Sequence, residues 1–294
     1  MIKHFFLTRF NILLWREDKE GNKVRTTKWL EHRFQLFERF CLPSIKNQTC
    51  QEFGWIVLFD RTTPERYKTK IEKYKKECPQ LIPVYVRPDG GQYFAQIFRD
   101  QVVERLRTNL NIDFNDNHNH NNSVRVLTTY LDNDDALNVR FVEDLQKRAL
   151  TAKDGTFFYY DNGYQHYTEG NYLMQISYPR NHFVSVVEGS NLSEVKGIFG
   201  YGRHYYLDRI EGATIEHIKT DPMWCEVVHK KNMLNDANFL IGTKMVKDCD
   251  LLRREFAIDE TIKTEIVIYV LRFLPRYCRT FVKRAKNKLF GRKW

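Results

Sequence analysis

Three carboxylates crowd the segment TTYLDNDDAL, which covers Thr128–Leu137. Asp132, Asp134 and Asp135 directly follow the apolar run Val124–Leu131, a pattern typical of a buried strand. Like charges at this spacing repel one another, so the arrangement calls for a positive partner. The loop after a strand can turn Asp132 and Asp134 toward one point, where their oxygens would suit Mg²⁺ or Mn²⁺. Such ions keep positions open for substrate phosphates, so the segment predicts a metal–diphosphate site.

The same acidic segment has two other interpretations. Asp and Asn are frequent in turns and helix caps, and Asp135 or Asn138 would cap the helix that follows. An EF-hand loop that begins at Asp132 requires Gly at its sixth position, where Leu137 stands. This excludes the EF-hand and leaves a capped turn as the structural alternative.

Strand and helix patterns alternate along the first half of the chain. Predicted strands cover Lys3–Thr8, Phe53–Phe59, Leu81–Val86 and Val124–Leu131. Predicted helices cover Trp29–Phe40 (stopped by Pro43), the segment from Pro64, Phe94–Leu106 and Asn138–Leu150. This alternation predicts an α/β fold with a mixed, mostly parallel sheet flanked by helices. The second half, richer in turns, predicts a loop-rich, more antiparallel region.

Polar residues follow three of these predicted strands. Arg9–Asn11 comes after the first strand, Asp60 after the second and Asp132–Asp135 after the fourth. Ligands of parallel α/β sheets bind beyond the carboxyl ends of strands. We therefore expect the three groups to share one face.

Charge and cysteine content narrow the classes of function. The net charge is +10, but nine Lys or Arg and no acidic residue lie between Arg272 and Lys293, and the remaining chain has 38 basic and 37 acidic residues. The basic character belongs to the tail, and no nucleic-acid-reading motif accompanies it. Six scattered cysteines without a CxxC pair predict free thiols in a reducing, cytoplasmic setting.

At this level of detail the sequence resembles nucleotide-sugar glycosyltransferases of the GT-A fold. More specifically, it resembles the Putative rhamnosyl transferase family of bacteria. The segments that carry the resemblance are HFFLTRFN, HRFQLFERFCLPSIKNQTCQEFGWIVLFDRTTP, YLDNDDAL, NHFVSVVEG and MWCEVVHKKN. They are spread from residue 4 to residue 232, so the resemblance covers most of the chain.

The resemblance implies roles for the residues that follow the strands. Asp134 would bind the metal directly, and Asp132 would touch the ribose or reach the metal through water. Asp135 would support them or face the sugar. Arg9 would lie near the base or phosphate, and Asp60 would accept a hydrogen bond from the base or ribose, with a turn before Thr63 and Pro64 as the alternative for Asp60.

Two further roles follow from the same resemblance. GT-A folds often take a third metal ligand from late in the chain, and His229 is the best match, with His204 as the rival. An inverting transfer needs a base for the acceptor hydroxyl. Glu188, at the end of an apolar strand, is the first candidate and Asp221 the second.

These observations divide the chain and its partners. Residues 1–260 are predicted to form a GT-A-like domain, with a nucleotide-sugar-binding half at 1–152 and an acceptor-binding half at 153–260. Residues 261–294 form a basic amphipathic tail, whose composition predicts contact with an anionic membrane surface, on the inner face. A solvated helix is the alternative for this tail.

The leading hypothesis for function is a metal-dependent, inverting glycosyltransferase. It would move a sugar, rhamnose by the family's description, from a nucleoside diphosphate to a glycan or lipid-linked acceptor in cell-surface polysaccharide synthesis. The alternative is a non-catalytic glycan- or membrane-surface-binding module in which the Asp cluster is structural. A nucleotidyltransferase would usually carry a Gly-rich phosphate loop near the N-terminus, which FFLTRFNILLW lacks.

Overall fold

Two β-sheets and their flanking helices form the part of the chain that the computed structural model describes. The described residues are 1–14, 23, 26–110, 124–189, 191–229, 243–265, 278 and 282. The strands are β1 Ile2–Arg9, β2 Phe53–Asp60, β3 Leu81–Val86, β4 Arg125–Tyr130, β5 Ala136–Leu137, β6 Thr156–Tyr160, β7 Asn162–Tyr167, β8 Tyr172–Ser177, β9 Ser185–Glu188, β10 Thr214–Ile218, β11 Trp224–Val228 and β12 Lys244–Met245. The helices are α1 Thr27–Leu36, α2 Leu42–Lys46, α3 Glu65–Glu77, α4 Phe94–Leu110, α5 Phe141–Ala149 and α6 Leu251–Phe256.

The larger sheet has seven strands in the order β10-β6-β9-β4-β1-β2-β3. All neighbouring pairs are parallel except those of β9, which runs antiparallel to both β4 and β6. The carboxyl ends of β1, β2, β4, β6 and β10 therefore meet at one edge, and β9 begins at that edge. This confirms the predicted mixed, mostly parallel, GT-A-like sheet.

Both faces of this sheet are buried, which explains why its central strands read as continuous apolar runs. On β2, Trp55 and Val57 pack into one core, and Ile56 and Leu58 pack into the other. Residues of α1, α3 and α5 contribute to the first core and residues of α4 to the second. Successive side chains along each strand thus point alternately into the two apolar cores.

The predicted first helix continues past Pro43, so the expected stop at this proline is wrong. α1 runs into a π-helical turn at Phe37–Cys41, and Pro43 then lies in the first turn of α2. The Leu42 amide bonds to the Phe37 oxygen, five residues back. A proline lacks an amide donor, but the first turn of a helix does not use that donor. Pro43 is therefore tolerated in the first turn of α2, and the helical path continues through the π-helical turn to Lys46.

The second sheet comes mostly from the second half of the chain. Its five strands follow the order β12-β8-β7-β11-β5, and its pairs are antiparallel except β11 with β7. β5, the short strand after the acidic segment, joins this second sheet, whereas β4 belongs to the first. The acidic segment therefore connects the two sheets.

No helix in the described ranges combines the length and the apolar character needed to cross a bilayer. All six cysteines are free thiols, as predicted. Most of the predicted basic tail, residues 261–294, lies outside the described residues.

Candidate active site

The loop between β4 and β5, residues 132–135, is called the acidic loop below and is tied to the end of β1. Asn133 is buried, and its amide nitrogen donates to the backbone oxygens of Arg9 at 2.8 Å and Phe10 at 2.9 Å. Since β1 and β4 are parallel neighbours, these bonds join the carboxyl ends of two strands. The three carboxylates of the loop then point to other elements.

Asp134 points toward α1 and the end of β11. Arg33 Nη1 donates to Asp134 Oδ2 at 2.9 Å, and His229 Nε2 lies 3.0 Å from the same oxygen. Burial alone would disfavour the charged carboxylate, but Arg33 and His229 outweigh it and hold the pKa of Asp134 well below its usual range. Asp134 is thus an ionised carboxylate with a built-in counterion.

Asp132, Asp135 and His182 form a second group, called the acidic trio below. One ligand atom from each of these side chains lies within 4.8 Å of the others. His182 Nε2 lies 2.7 Å from Asp135 Oδ2, and the other Asp135 oxygen accepts from the Val227 amide at 2.8 Å. Tyr130 holds Asp132 by donating its hydroxyl to Oδ2 at 2.8 Å.

Burial raises the pKa of the Asp135 carboxyl, and the neighbouring carboxylates Asp134 and Asp132 raise it further. Burial opposes the charged form of His182, but its hydrogen bond with Asp135 outweighs this and raises the pKa of the ring. Both groups therefore hold a proton more readily than they would in water.

The acidic trio fits a small divalent cation. Two carboxylates and one imidazole are a donor set that Mn²⁺ accepts, and carboxylate oxygens also suit Mg²⁺. Oxygen ligands lie about 2.0–2.6 Å from hard divalent cations, so ligand atoms within 4.8 Å of each other can share one ion after small movements. Binding of the ion would displace protons held by these ligands.

Arg9 lies beside the acidic trio in an aromatic cage. Its guanidinium carbon is 5.0 Å from the Phe94 ring centroid, 5.2 Å from that of Tyr130 and 5.1 Å from that of Phe199. It also forms an ion pair with Asp132 at 3.5 Å and donates to the Tyr130 hydroxyl. Among the described residues its buried Nε has no hydrogen-bond partner. A rigid guanidinium with unused donor capacity next to a cation site suits an anionic ligand.

A family model described as Putative rhamnosyl transferase matches residues 7–239, which is more than half of the chain. The chain belongs to the Putative rhamnosyl transferase family. This makes it a glycosyltransferase by family. The matched range includes the acidic loop, Arg9, Arg33, His182 and His229.

Solved structures show a distant likeness to this rhamnosyl transferase family member. S. aureus TarS 1–349 in complex with UDP is 10% identical with a TM-score of 0.45, over 78% of this chain and 61% of that chain. S. aureus TarS is 11% identical with a TM-score of 0.39, over 78% of this chain and 37% of that one. The chain thus covers less than two thirds of the TarS chains. A comparison with curated proteins finds no match.

In this rhamnosyl transferase family chain, Asp60 is built into a turn at the end of β2. It is buried, and its carboxylate accepts from the Thr62 amide at 2.7 Å. Its own amide donates to Asn11 Oδ1 at 2.9 Å, and Asn11 Nδ2 donates to the Thr63 hydroxyl at 2.9 Å. β2 is two strands from β4, a separation of about 10 Å. The hydrogen bonds of Asp60 therefore support the turn interpretation. The contacts with the acidic loop come from Arg9 and the Phe10 backbone.

The two expected bases are not brought to the acidic loop. Glu188 pairs with Val126, near the start of β4, because β9 runs antiparallel and its carboxyl end lies at the opposite edge of the sheet. There Glu188 accepts from the Lys196 and Gly197 amides at 2.8 Å and 3.0 Å. Asp221 is exposed in the loop between β10 and β11.

The ligand set expected from the motif also differs from the set that the structure brings together. The expected ligands were Asp132, Asp134 and His229, whereas the acidic trio contains Asp132, Asp135 and His182. His182 precedes β9 within NHFVSVVEG, one of the segments that carry the family resemblance, so the sequence did point to this segment. The sequence did not reveal that β9 runs antiparallel to β4, and this direction is what places His182 beside the acidic loop. The rival His204 has its ring centroid 6.2 Å from that of His182 and is not part of the trio.

Proposed function

We propose that this chain is a metal-dependent glycosyltransferase that uses a nucleoside diphosphate sugar as donor and a glycan or lipid-linked glycan as acceptor. The observation that carries the proposal is the acidic trio beside the caged Arg9, at the carboxyl edge of a mostly parallel sheet, in a chain of a glycosyltransferase family. A cation and a guanidinium at one point suit the diphosphate of such a donor.

Each residue of the site has a defined task in this proposal. Asp132, Asp135 and His182 hold the cation, which when bound would neutralise charge on the leaving diphosphate. Arg9, whose side chain is 23% exposed, donates an N–H to a phosphate oxygen. Asp134, charged and paired with Arg33, supports the acidic loop from outside the trio.

The remaining chain residues supply support and shape. Asp60 fixes the turn after β2, on the side of the sheet edge where the nucleoside would lie. Residues 1–152 then supply most of the donor side, and residues 153–260 cover it from the acceptor side. Rhamnose as the transferred sugar follows the family description. Inversion at that sugar and a role in cell-surface polysaccharide synthesis are part of the proposal by resemblance to GT-A enzymes. Contact of the basic tail with the inner membrane face remains a prediction from composition.

Ligand binding tests the proposal without knowledge of the acceptor. Melting of the purified chain is measured with dTDP, UDP and GDP, each with and without Mn²⁺. We expect one nucleotide to raise the melting temperature only when Mn²⁺ is present, because a ligand that binds only the native state stabilises it. The corresponding nucleotide sugars are then screened for enzyme-dependent release of the diphosphate.

The outcomes separate the two functions considered. A metal-dependent shift and release of one diphosphate support a glycosyltransferase and identify the donor base. If a well-folded sample shows no shift with any nucleotide and releases none, the acidic loop is a structural turn and a non-catalytic binding module becomes the better interpretation.

A further inference from the structure

Glu226, on β11, is a buried carboxylate next to the acidic trio that the tasks above leave unused. It is 4% exposed. The following residue, Val227, donates its amide to Asp135, so Glu226 is fixed one residue from a contact of the trio. Cys225 and Val227 pack into the core of the second sheet, so Glu226 points from the opposite face of β11.

That opposite face is the one that looks toward His182. Trp224, which shares it with Glu226, stacks on Phe183 with ring centroids 4.9 Å apart, and Phe183 contacts the His182 ring at 4.2 Å. Although burial opposes the charged ring, the pKa of His182 is raised by Asp135 and, to a smaller extent, by the charge of Glu226. Glu226 is therefore close to the trio and yet outside it.

Gln165 fixes the orientation of Glu226. Its side-chain nitrogen donates to Glu226 Oε2 at 2.6 Å, and its oxygen accepts from the Tyr167 hydroxyl at 2.8 Å. Among the described residues no other donor contacts Glu226, so Oε1 keeps its capacity to accept a proton. Burial raises the pKa of Glu226, as suits a carboxylate that accepts a proton.

The surroundings of Glu226 include an aromatic rim. Burial raises the pKa of Tyr178, and the neighbouring Tyr205 and Glu226 raise it further. Tyr205 is 45% exposed and contacts the His204 ring at 3.9 Å. Exposed tyrosines of this kind offer a flat face to a sugar ring.

The other carboxylates at the carboxyl ends of β2, β4 and β6 have different tasks. Asp60 fixes the turn after β2. Asp134 is paired with Arg33, and Asp132 and Asp135 belong to the acidic trio. Asp161, at the end of β6, is 2.7 Å from His217 Nδ1.

The geometry points to Glu226 as the catalytic base, which contacts the acceptor hydroxyl, with Gln165 as its positioning residue. This assignment rests on the glycosyltransferase function proposed above. As the acceptor oxygen bonds to the anomeric carbon of the donor sugar, its proton moves to Glu226 Oε1. The bond from that carbon to the phosphate oxygen breaks, and the nucleoside diphosphate leaves with the electron pair. Glu226 then releases the proton to solvent.

The test compares wild type with E226Q and E226A, using the nucleotide sugar that wild type turns over, Mn²⁺ and water as the acceptor. E226Q keeps the shape of the side chain and an oxygen for Gln165. We expect it to bind Mn²⁺ and the nucleoside diphosphate within twofold of wild type, while diphosphate release falls at least 100-fold. The matched control is E188Q, a buried carboxylate at the opposite edge, which should keep the wild-type rate.

Azide supplies a readout that a structural role would not give. As an anion it attacks the sugar without losing a proton, so in E226A it should restore diphosphate release and yield a glycosyl azide. A wild-type rate in E226Q, a tenfold loss of Mn²⁺ affinity in E226Q, or no glycosyl azide from E226A would each overturn the assignment. A wild type that binds no nucleotide with Mn²⁺ would instead overturn the proposed function.

Discussion

Replacing the two neighbouring aspartates of the acidic loop one at a time distinguishes between the metal ligands expected from the motif and those that the structure brings together. Asp135→Asn and His182→Ala each remove a member of the acidic trio, whereas Asp134→Asn removes a carboxylate whose charge Arg33 already offsets. Loss of a residue that only supports a metal ligand weakens metal affinity by about 10–100-fold. Loss of a direct ligand should reach at least the upper end, about 100-fold or ~2.7 kcal/mol.

For Asp134→Asn the expected change in Mn²⁺ affinity is below about tenfold, the lower end of the supporting-residue range. Its larger effect should be on stability, since Arg33 would keep a buried charge without a carboxylate partner. The assay is a titration of Mn²⁺ followed by the electron paramagnetic resonance signal of the free ion. It reads binding directly and requires no substrate.

Asp161→Asn is the matched control for this titration. Asp161 is also buried, ends a strand at the same edge, and lies 2.7 Å from a histidine nitrogen of His217, but it is outside the acidic trio. It should leave Mn²⁺ binding unchanged. If a folded Asp134→Asn lost about 100-fold in affinity and Asp135→Asn kept wild-type binding, the assignment from the structure would be refuted and the motif assignment would stand.

Three further changes test other parts of the site. Arg33→Met should lower the free energy of unfolding by about 3 kcal/mol in urea at pH 7. Because Arg33 helps to depress the folded pKa of Asp134, the stabilisation that Arg33 provides is present above the unfolded pKa of about 3.9 and is lost as the pH falls toward the folded pKa. The difference in stability between Arg33→Met and wild type should therefore shrink in acid, and a constant difference would contradict this. Arg9→Met should weaken nucleoside diphosphate binding by about tenfold, which corresponds to roughly one hydrogen bond to a charged group. The affinity for Mn²⁺ in the absence of nucleotide should stay within about threefold of wild type. Calorimetry measures both affinities, and equal losses would count against a phosphate contact. Gly163→Ala would place a Cβ 2.1 Å from the Trp224 ring and should destabilise the chain by about 1–3 kcal/mol, and an unchanged melting temperature would show that the ring can move away.

The sequence was most informative where local pattern decides the structure. The apolar run before Asp132 predicted β4, and its abrupt end predicted a polar loop at a sheet edge. The free thiols and the alternation of strands and helices could also be predicted from the sequence, because both depend on composition and short-range periodicity. The link between Arg9 and the acidic loop followed because parallel strands end at one edge.

The details of the site depended on long-range geometry that one sequence does not encode locally. His182 precedes β9 and Glu188 ends it, and only the direction of β9 decides which of them reaches the acidic loop. A β-strand pattern has the same period in both directions. Likewise, Asp134 and Asp135 are adjacent in sequence, but their partners come from α1 and from the loop before β9.

The position of the acidic loop between two sheets has a consequence for how the site is made. The whole motif is present once residue 135 has been synthesised, but His182, the Val227 amide and His229 come much later in the chain. A fragment that ends at residue 152 would therefore contain every carboxylate of the motif and bind Mn²⁺ poorly. Metal affinity would then serve as a reporter of complete folding, since it becomes tight only after β9 and β11 have taken their places beside β4 and β5.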